Sequence, residues 1–200
     1  MKTQKLGCGD KIVFLDIETT GLSYSVDDII EVGAWLYCDG VAINKFERRI
    51  KPERYVSETV RRITGISNED LADCDTMQNV LPEFFDFVGS NDIAGYNIQF
   101  DYKFLCYKAK VLGYDFTLGG MRRGVDVLKS VRKCFDLPSY KLGDVCVSLG
   151  VPSEPDRLHT ALYDAYMTKL VYDRCKYEIP YLLDDTKYGR PVITDTLDLF

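Results

Sequence analysis

Apolar and polar positions come in short bursts over the first fifty residues, and then the period changes. Residues 13–18 (Val-Phe-Leu-Asp-Ile-Glu) run three apolar side chains into two acids, which predicts a buried strand carrying carboxylates. Residues 29–37 and 41–50 predict a second and a third strand, with Asp39-Gly40 as the turn between them and Pro52 closing the third. The short connections make these three an antiparallel meander. Beyond residue 52 the spacing becomes helical. Residues 57–63 predict a short helix, and Ser67 predicts a helix cap with Asp70 at its third position. Val80, Leu81, Phe84, Phe85 and Val88 recur at helical spacing within a helix expected over 79–88. Residues 92–96 predict a short strand. Residues 98–112 predict a helix with Phe100, Phe104, Leu105 and Val111 on its apolar side. Residues 125–135 read as a strand passing into a helix, 140–149 as a helix stopped by Gly150, and 160–176 as the last helix.

A meander followed by alternating helix and strand predicts an α/β domain, a mixed sheet flanked by helices. From residue 178 the chain loosens. Pro180, Asp184-Asp185, Gly189 and Pro191 mark a C-terminal tail over 178–200, set against a domain over 1–177. The tail ends in apolar Leu197, Leu199 and Phe200. The glycine-rich stretch 114–124 receives no element.

Composition narrows the classes. Two hundred residues at 46% hydrophobic content suit one domain with a real core. No run of 18 apolar residues occurs, so no membrane span is expected. The charged residues near the start predict no signal peptide, and the expected location is cytoplasmic. Seven cysteines without a C-x-x-C spacing predict free thiols in a reducing compartment. A net charge of −6 argues against a protein that grips nucleic acid by bulk charge, but not against one that engages it locally through metal ions. The basic groups Arg48-Arg49 with Lys51, Arg61-Arg62, Arg122-Arg123 and Lys129 with Arg132-Lys133 read mainly as solvated surface, a strand-binding groove being the alternative.

The acids change the picture further. Asp16 and Glu18 are two apart on a strand, so they share a face about 6.6–6.8 Å apart along it. Two such carboxylates repel and are costly to bury. A hard divalent cation removes both costs. Asp101 opens the helix over 98–112 between Phe100 and Phe104. His159 and Asp164 would stand about 140° apart on one helix, so both reach one pocket only if His159 lies on the loop before it. His159 is the one histidine of the chain. Each of these features alone is ordinary surface or cap chemistry.

In this order, however, they resemble the DEDDh family of 3′→5′ exonucleases, which includes the epsilon proofreading subunit of bacterial DNA polymerase III, ribonuclease T and oligoribonuclease. Phe14-Leu15-Asp16-Ile17-Glu18-Thr19-Thr20-Gly21-Leu22 is similar to the family's first motif. Asn97 with Phe100-Asp101 is similar to the second, and His159-x-Ala161-x-x-Asp164-Ala165 to the third. Ile63-Thr64-Gly65-Ile66 and Tyr140-Lys141-Leu142 also look like the family, although many relatives carry histidine where Thr64 stands.

The resemblance implies a ribonuclease H-like mixed five-stranded sheet. It implies two divalent metal ions, Mg²⁺ with Mn²⁺ as a substitute, on Asp16, Glu18, Asp101 and Asp164. Asp16 would bridge them, Glu18 and Asp164 would complete the nucleophile-side ion, and Asp101 would serve the other. His159 would be the general base. Thr19 and Thr20 would contact the terminal nucleotide, Leu22 its base, and Asn97 the strand. The implied substrate is a single-stranded 3′ end, released as nucleoside 5′-monophosphates.

Three readings stay open: a DNA exonuclease for proofreading or repair, an RNA exonuclease of the ribonuclease T or oligoribonuclease kind, and a non-catalytic adaptor of the same fold. The tail tilts the balance to DNA. Thr196-Leu197-Asp198-Leu199-Phe200 resembles a sliding-clamp-binding peptide, so a clamp or a DNA polymerase is the expected partner, with Leu197, Leu199 and Phe200 making the contact.

Overall fold

The structure, a computed structural model, describes residues 11–114, 124–154 and 158–178. Residues 179–200 of the tail, with Leu197, Leu199 and Phe200, lie outside the described residues, as do 115–123 of the glycine-rich stretch, including Arg122-Arg123, whereas Glu178 still belongs to the last helix.

The strands are β1 (Lys11–Thr19), β2 (Ile29–Cys38), β3 (Val41–Arg49), β4 (Asp92–Gly95) and β5 (Gly124–Asp126). They form one mixed sheet in the order β3-β2-β1-β4-β5. The meander β1–β2–β3 is antiparallel, and β4 and β5 add parallel to β1. Alternation along β1 sets the two layers. Val13, Leu15 and Ile17 pack with α3 (Met77–Val88) and α4 (Gln99–Val111). Phe14 turns to the other face, among α5 (Val127–Cys134), α6 (Leu142–Ser148) and α7 (Ala161–Glu178). The acids of β1 share that second face. Two short helices, α1 (Glu58–Thr64) and α2 (Asn68–Leu71), lie beside the meander.

The caps follow the sequence closely. The Ser57 side chain accepts the Val60 N–H, and Ser67 with Asp70 forms a full capping box. Helix α3 begins two residues earlier than expected, at Met77, and carries Pro82 inside it. Proline cannot bond the carbonyl four residues back. That carbonyl, of Gln78, instead accepts the Tyr114 hydroxyl at 3.1 Å.

Three expectations need correction. Val111 does not face the core: it is 62% exposed, because α4 is ending there. Helix α6 starts at Leu142, not Tyr140. Tyr140 is committed to the loop, where its carbonyl accepts the Tyr96 hydroxyl at 2.7 Å and its own hydroxyl donates to Phe135 O at 3.1 Å. Free thiols hold for Cys74, Cys106, Cys134, Cys146 and Cys175, whereas Cys38, the last residue of β2, is disulfide-bonded.

Candidate active site

The first acids are placed by strand geometry. Asp16 and Glu18 stand on the same face of β1, opposite Gly33 and Glu31 of β2. On its other edge β1 loses its neighbour early. The β4 pairing ends at Phe14↔Ala94, so further along the strand the Ile17 N–H has no ladder partner. The Asp101 carboxylate takes it, at 3.0 Å. Asp101 is thus 2% exposed and tied to the strand bearing the other acids.

Two local devices bring it there. Gly95 ends β4, and a Cβ at this position would lie 2.5 Å from Ile98 Cδ1 and 3.2 Å from Leu15 O. A side chain here would press on Ile98 and crowd the Leu15 carbonyl, so a bare backbone suits the close approach of the turn to β1. Asn97 then adopts a left-handed φ of 64°, which re-aims the chain into α4.

The third group arrives the same way. His159 precedes α7 with φ 68°, so it lies on the loop, as its spacing from Asp164 requires. Its backbone N–H donates to Asp164 Oδ2 at 3.2 Å, a reach-back from the first turn of the helix. Glu18, His159 and Asp164 each offer a ligand atom, and these atoms all lie within 4.8 Å of one another.

The electrostatics show acids crowded together. Burial, then Asp101, Asp164, Glu18 and Glu31, push Asp16 well above the usual carboxylate range. Burial, then Asp164, Glu31 and Asp101, raise Glu18 to about 8. Burial raises Asp101 to about 8 against the hydrogen bonds of its own and the Ile17 N–H. Asp164 reaches about 6, burial being moderated by the His159 N–H. Asp164 Oδ1 is buried and has no hydrogen-bond partner. An acceptor left bare beside ionisable neighbours fits a divalent cation, which would satisfy it and neutralise the crowding.

The loop after Glu18 is held tightly. Thr19 donates its hydroxyl to Gly21 O at 2.6 Å. The Thr20 hydroxyl accepts the Asp28 N–H at 2.9 Å, and its own N–H reaches Asp28 O at 2.8 Å. Asp28 is a buried hub, accepting the N–H groups of Glu53 and Arg54 and an ion pair from Lys108 of α4 at 2.6 Å. On this braced loop Leu22 projects, 87% exposed. Asn97 is also exposed.

Glu31, Asp28 and Lys108 carried no assignment from the sequence. A carboxylate inside Ile29-Ile30-Glu31-Val32 was the visible signal for Glu31. Of the basic pairs, Arg48 meets Glu83 and Arg61 meets Glu58 at the surface, while Arg49 reaches in to the buried Glu31. A cavity of about 610 Å³, lined by Trp35, Tyr37, Leu162 and Tyr166 among others, lies beside α7. Leu162 and Tyr166 stand about 160° around an ideal helix from Asp164, so this cavity meets the side of α7 turned away from Asp164.

Known proteins share the sequence and the fold of this domain. The family model described as "Exonuclease", RNase_T, matches residues 13–172. The chain is 39% identical over 163 residues to the DNA polymerase III PolC-type protein of Thermotoga petrophila, covering 81% of this chain but 12% of that protein. It is 30% identical over 179 residues to the DNA polymerase III subunit epsilon of Aquifex aeolicus, covering 88% of this chain and 83% of the relative. Among solved structures, E. coli exonuclease I in complex with a dT13 oligonucleotide superposes with a TM-score of 0.79 at 20% identity, over 88% of this chain and 43% of that one. Exonuclease X in complex with 5′ overhanging duplex DNA gives 0.64 at 22% identity, over 83% and 91%. These two likenesses establish the ribonuclease H-like fold.

Proposed function

The chain belongs to the RNase_T exonuclease family and is a hydrolytic 3′→5′ exonuclease akin to DNA polymerase III epsilon; from that premise we propose that it trims single-stranded DNA 3′ ends with two divalent ions, Mg²⁺ or Mn²⁺. The observation that carries this reading is the convergence of Glu18, His159 and Asp164 within 4.8 Å, beside Asp16 and Asp101. Asp16, Glu18, Asp101 and Asp164 would hold the ions. When bound, the ions supply a nucleophile at neutral pH and stabilise charge on the attacking and leaving oxygens.

The chain's own groups do the rest. His159, exposed on its loop, takes the proton of the attacking water. Asp164 fixes the His159 backbone through its Oδ2. The loop braced by Asp28 presents the Thr19 and Thr20 backbone to the terminal nucleotide, with Leu22 against its base. An apolar side chain 87% exposed beside such a cluster supports that contact. Asn97 faces the incoming strand.

DNA is favoured over RNA because the named relatives are DNA polymerase III proteins. The chain spans about 12% of the length of the PolC-type relatives, so their assembly is no guide to this chain's own partners. The tail over 178–200 would tether the enzyme to a sliding clamp or polymerase through Leu197, Leu199 and Phe200, in the cytoplasm. Among the described residues no helix is long and apolar enough to cross a membrane.

Matched 5′-labelled DNA and RNA oligonucleotides, incubated with wild type and Asp16→Asn in Mg²⁺, test the reading. A 3′ ladder on DNA, abolished in the variant, is expected. A ladder on RNA alone would move the enzyme to RNA turnover, and no cleavage of either would leave the adaptor. Clamp capture with and without the last five residues tests the tether, and equal recovery would end it.

A further inference from the structure

Strand β2 offers alternate residues Glu31, Gly33 and Trp35 on one face, and all three meet the first turn of α7. Glu31 Oε2 accepts the Ala161 N–H at 2.8 Å, one of the helix N-terminal donors that no carbonyl of the helix can satisfy. Gly33 lies directly beneath. A Cβ there would be 2.0 Å from Leu162 N and 2.3 Å from Ala161 C, so the helix backbone rests on the strand itself. The Trp35 indole Nε1 donates to Leu162 O at 3.1 Å. An acceptor, a gap and a donor thus match three successive features of one piece of backbone.

Glu31 is an unexpected residue for that place. It is 4% exposed and opposite Glu18, so it adds a further buried carboxylate to a face already crowded with acids. Such burial is unfavourable unless the oxygens are engaged. Here both are, since Oε1 faces the Arg49 guanidinium at 3.5 Å. Asp164, by contrast, keeps Oδ1 bare. That difference separates an anchoring carboxylate from one left to ligate. The helix start also needs an anchor. His159 holds a left-handed backbone, which a non-glycine residue keeps only when its surroundings enforce it. Asp164 secures the His159 N–H from the helix side, and Glu31 secures Ala161 from the sheet side.

The geometry points to Glu31, seated with Gly33 and Trp35, as a positioning residue that sets His159 and Asp164 in register with Asp16 and Glu18. It acts through the backbone of the first turn of α7 and is not itself a metal ligand. This rests on the exonuclease reading of the site.

The test compares untagged wild type, Glu31→Ala, Glu31→Gln and Trp35→Phe. Glutamine keeps an acceptor for Ala161, whereas alanine does not. At saturating Mg²⁺, Glu31→Ala should lower kcat on a DNA oligonucleotide about 30-fold or more with KM within about threefold, and Glu31→Gln should recover to within about fivefold of wild type. A second readout needs neither metal nor turnover. His159 is the single histidine, so its imidazole NMR signals report this loop alone. In metal-free protein they should shift or broaden in Glu31→Ala and hold in Glu31→Gln.

An alanine variant with unchanged kcat and imidazole signals would overturn the proposal. So would a glutamine variant as impaired as alanine, which would point to the charge and not the hydrogen bond. Should Glu31→Ala fail to fold, Trp35→Phe carries the test: it should move the imidazole signals and lower kcat about fivefold, and no change in either would overturn the seat. Wild type that cleaves neither DNA nor RNA would sink the exonuclease reading, while the imidazole comparison would still decide the positioning role.

Discussion

Removing divalent ions should make the stability of this protein fall as pH rises, because the folded state holds carboxyl protons that the unfolded chain gives up. Glu18 goes from its ordinary 4.5 to about 8, and Asp101 from 3.8 to about 8. Asp16 is raised as well. The sign follows directly. Between the ordinary carboxylate range and about 8, the native state binds more protons than the unfolded state, so stability drops with pH across that window. It is fully present below the unfolded values and lost as pH climbs toward 8.

Each extra bound proton is worth about 1.4 kcal/mol per pH unit, so one net proton held from pH 5.5 to 7.5 is worth about 3 kcal/mol. For a chain of this length that is a fall in Tm of roughly 6–12 °C. The assay is a melting series in a chelator at the two pH values, repeated with Mg²⁺ or Mn²⁺. The ions should raise Tm, and more at pH 7.5 than at 5.5, since they replace the protons as the neutralising charge. Glu18→Gln and Asp101→Asn should each flatten the slope. A chelated protein with the same Tm at both pH values, or one whose Tm no ion moves, would refute the reasoning.

Lys108→Met should destabilise the fold by about 3–5 kcal/mol in urea titration, since it strands the buried Asp28 carboxylate without its cation. The same change loosens the Thr20–Asp28 loop, so KM should rise. Leu22→Ala should leave stability within about 0.5 kcal/mol, as its side chain packs on little, yet raise KM for oligonucleotides. Gly33→Ala places a methyl where the α7 backbone runs, and should lower Tm together with kcat by displacing His159 and Asp164.

What the sequence reveals depends on how local the cause is. Alternation along 13–18 is a property of the strand alone, so the shared face of Asp16 and Glu18 is legible from the residues. The Ser67–Asp70 box is equally local. The loop position of His159 follows from its five-residue spacing to Asp164. The task of Asp101 is different. Its flanking phenylalanines hint at burial, but its bond to the Ile17 N–H exists only because β4 stops early, which is a fact of sheet pairing. Glu31 and Asp28 were hidden for the same reason: their partners, Ala161 and Lys108, are 130 and 80 residues away. Val111 misled because helical spacing says nothing about where a helix leaves its neighbours.

The most direct test of the central claim is a crystal of the protein grown with Mn²⁺ and a nucleoside 5′-monophosphate, read by anomalous scattering. Two peaks about 3.5–4 Å apart are predicted, bounded by Asp16, Glu18, Asp101 and Asp164, with His159 turned toward them. A cluster free of anomalous density at saturating Mn²⁺, or ions bound only elsewhere on the surface, would contradict the account.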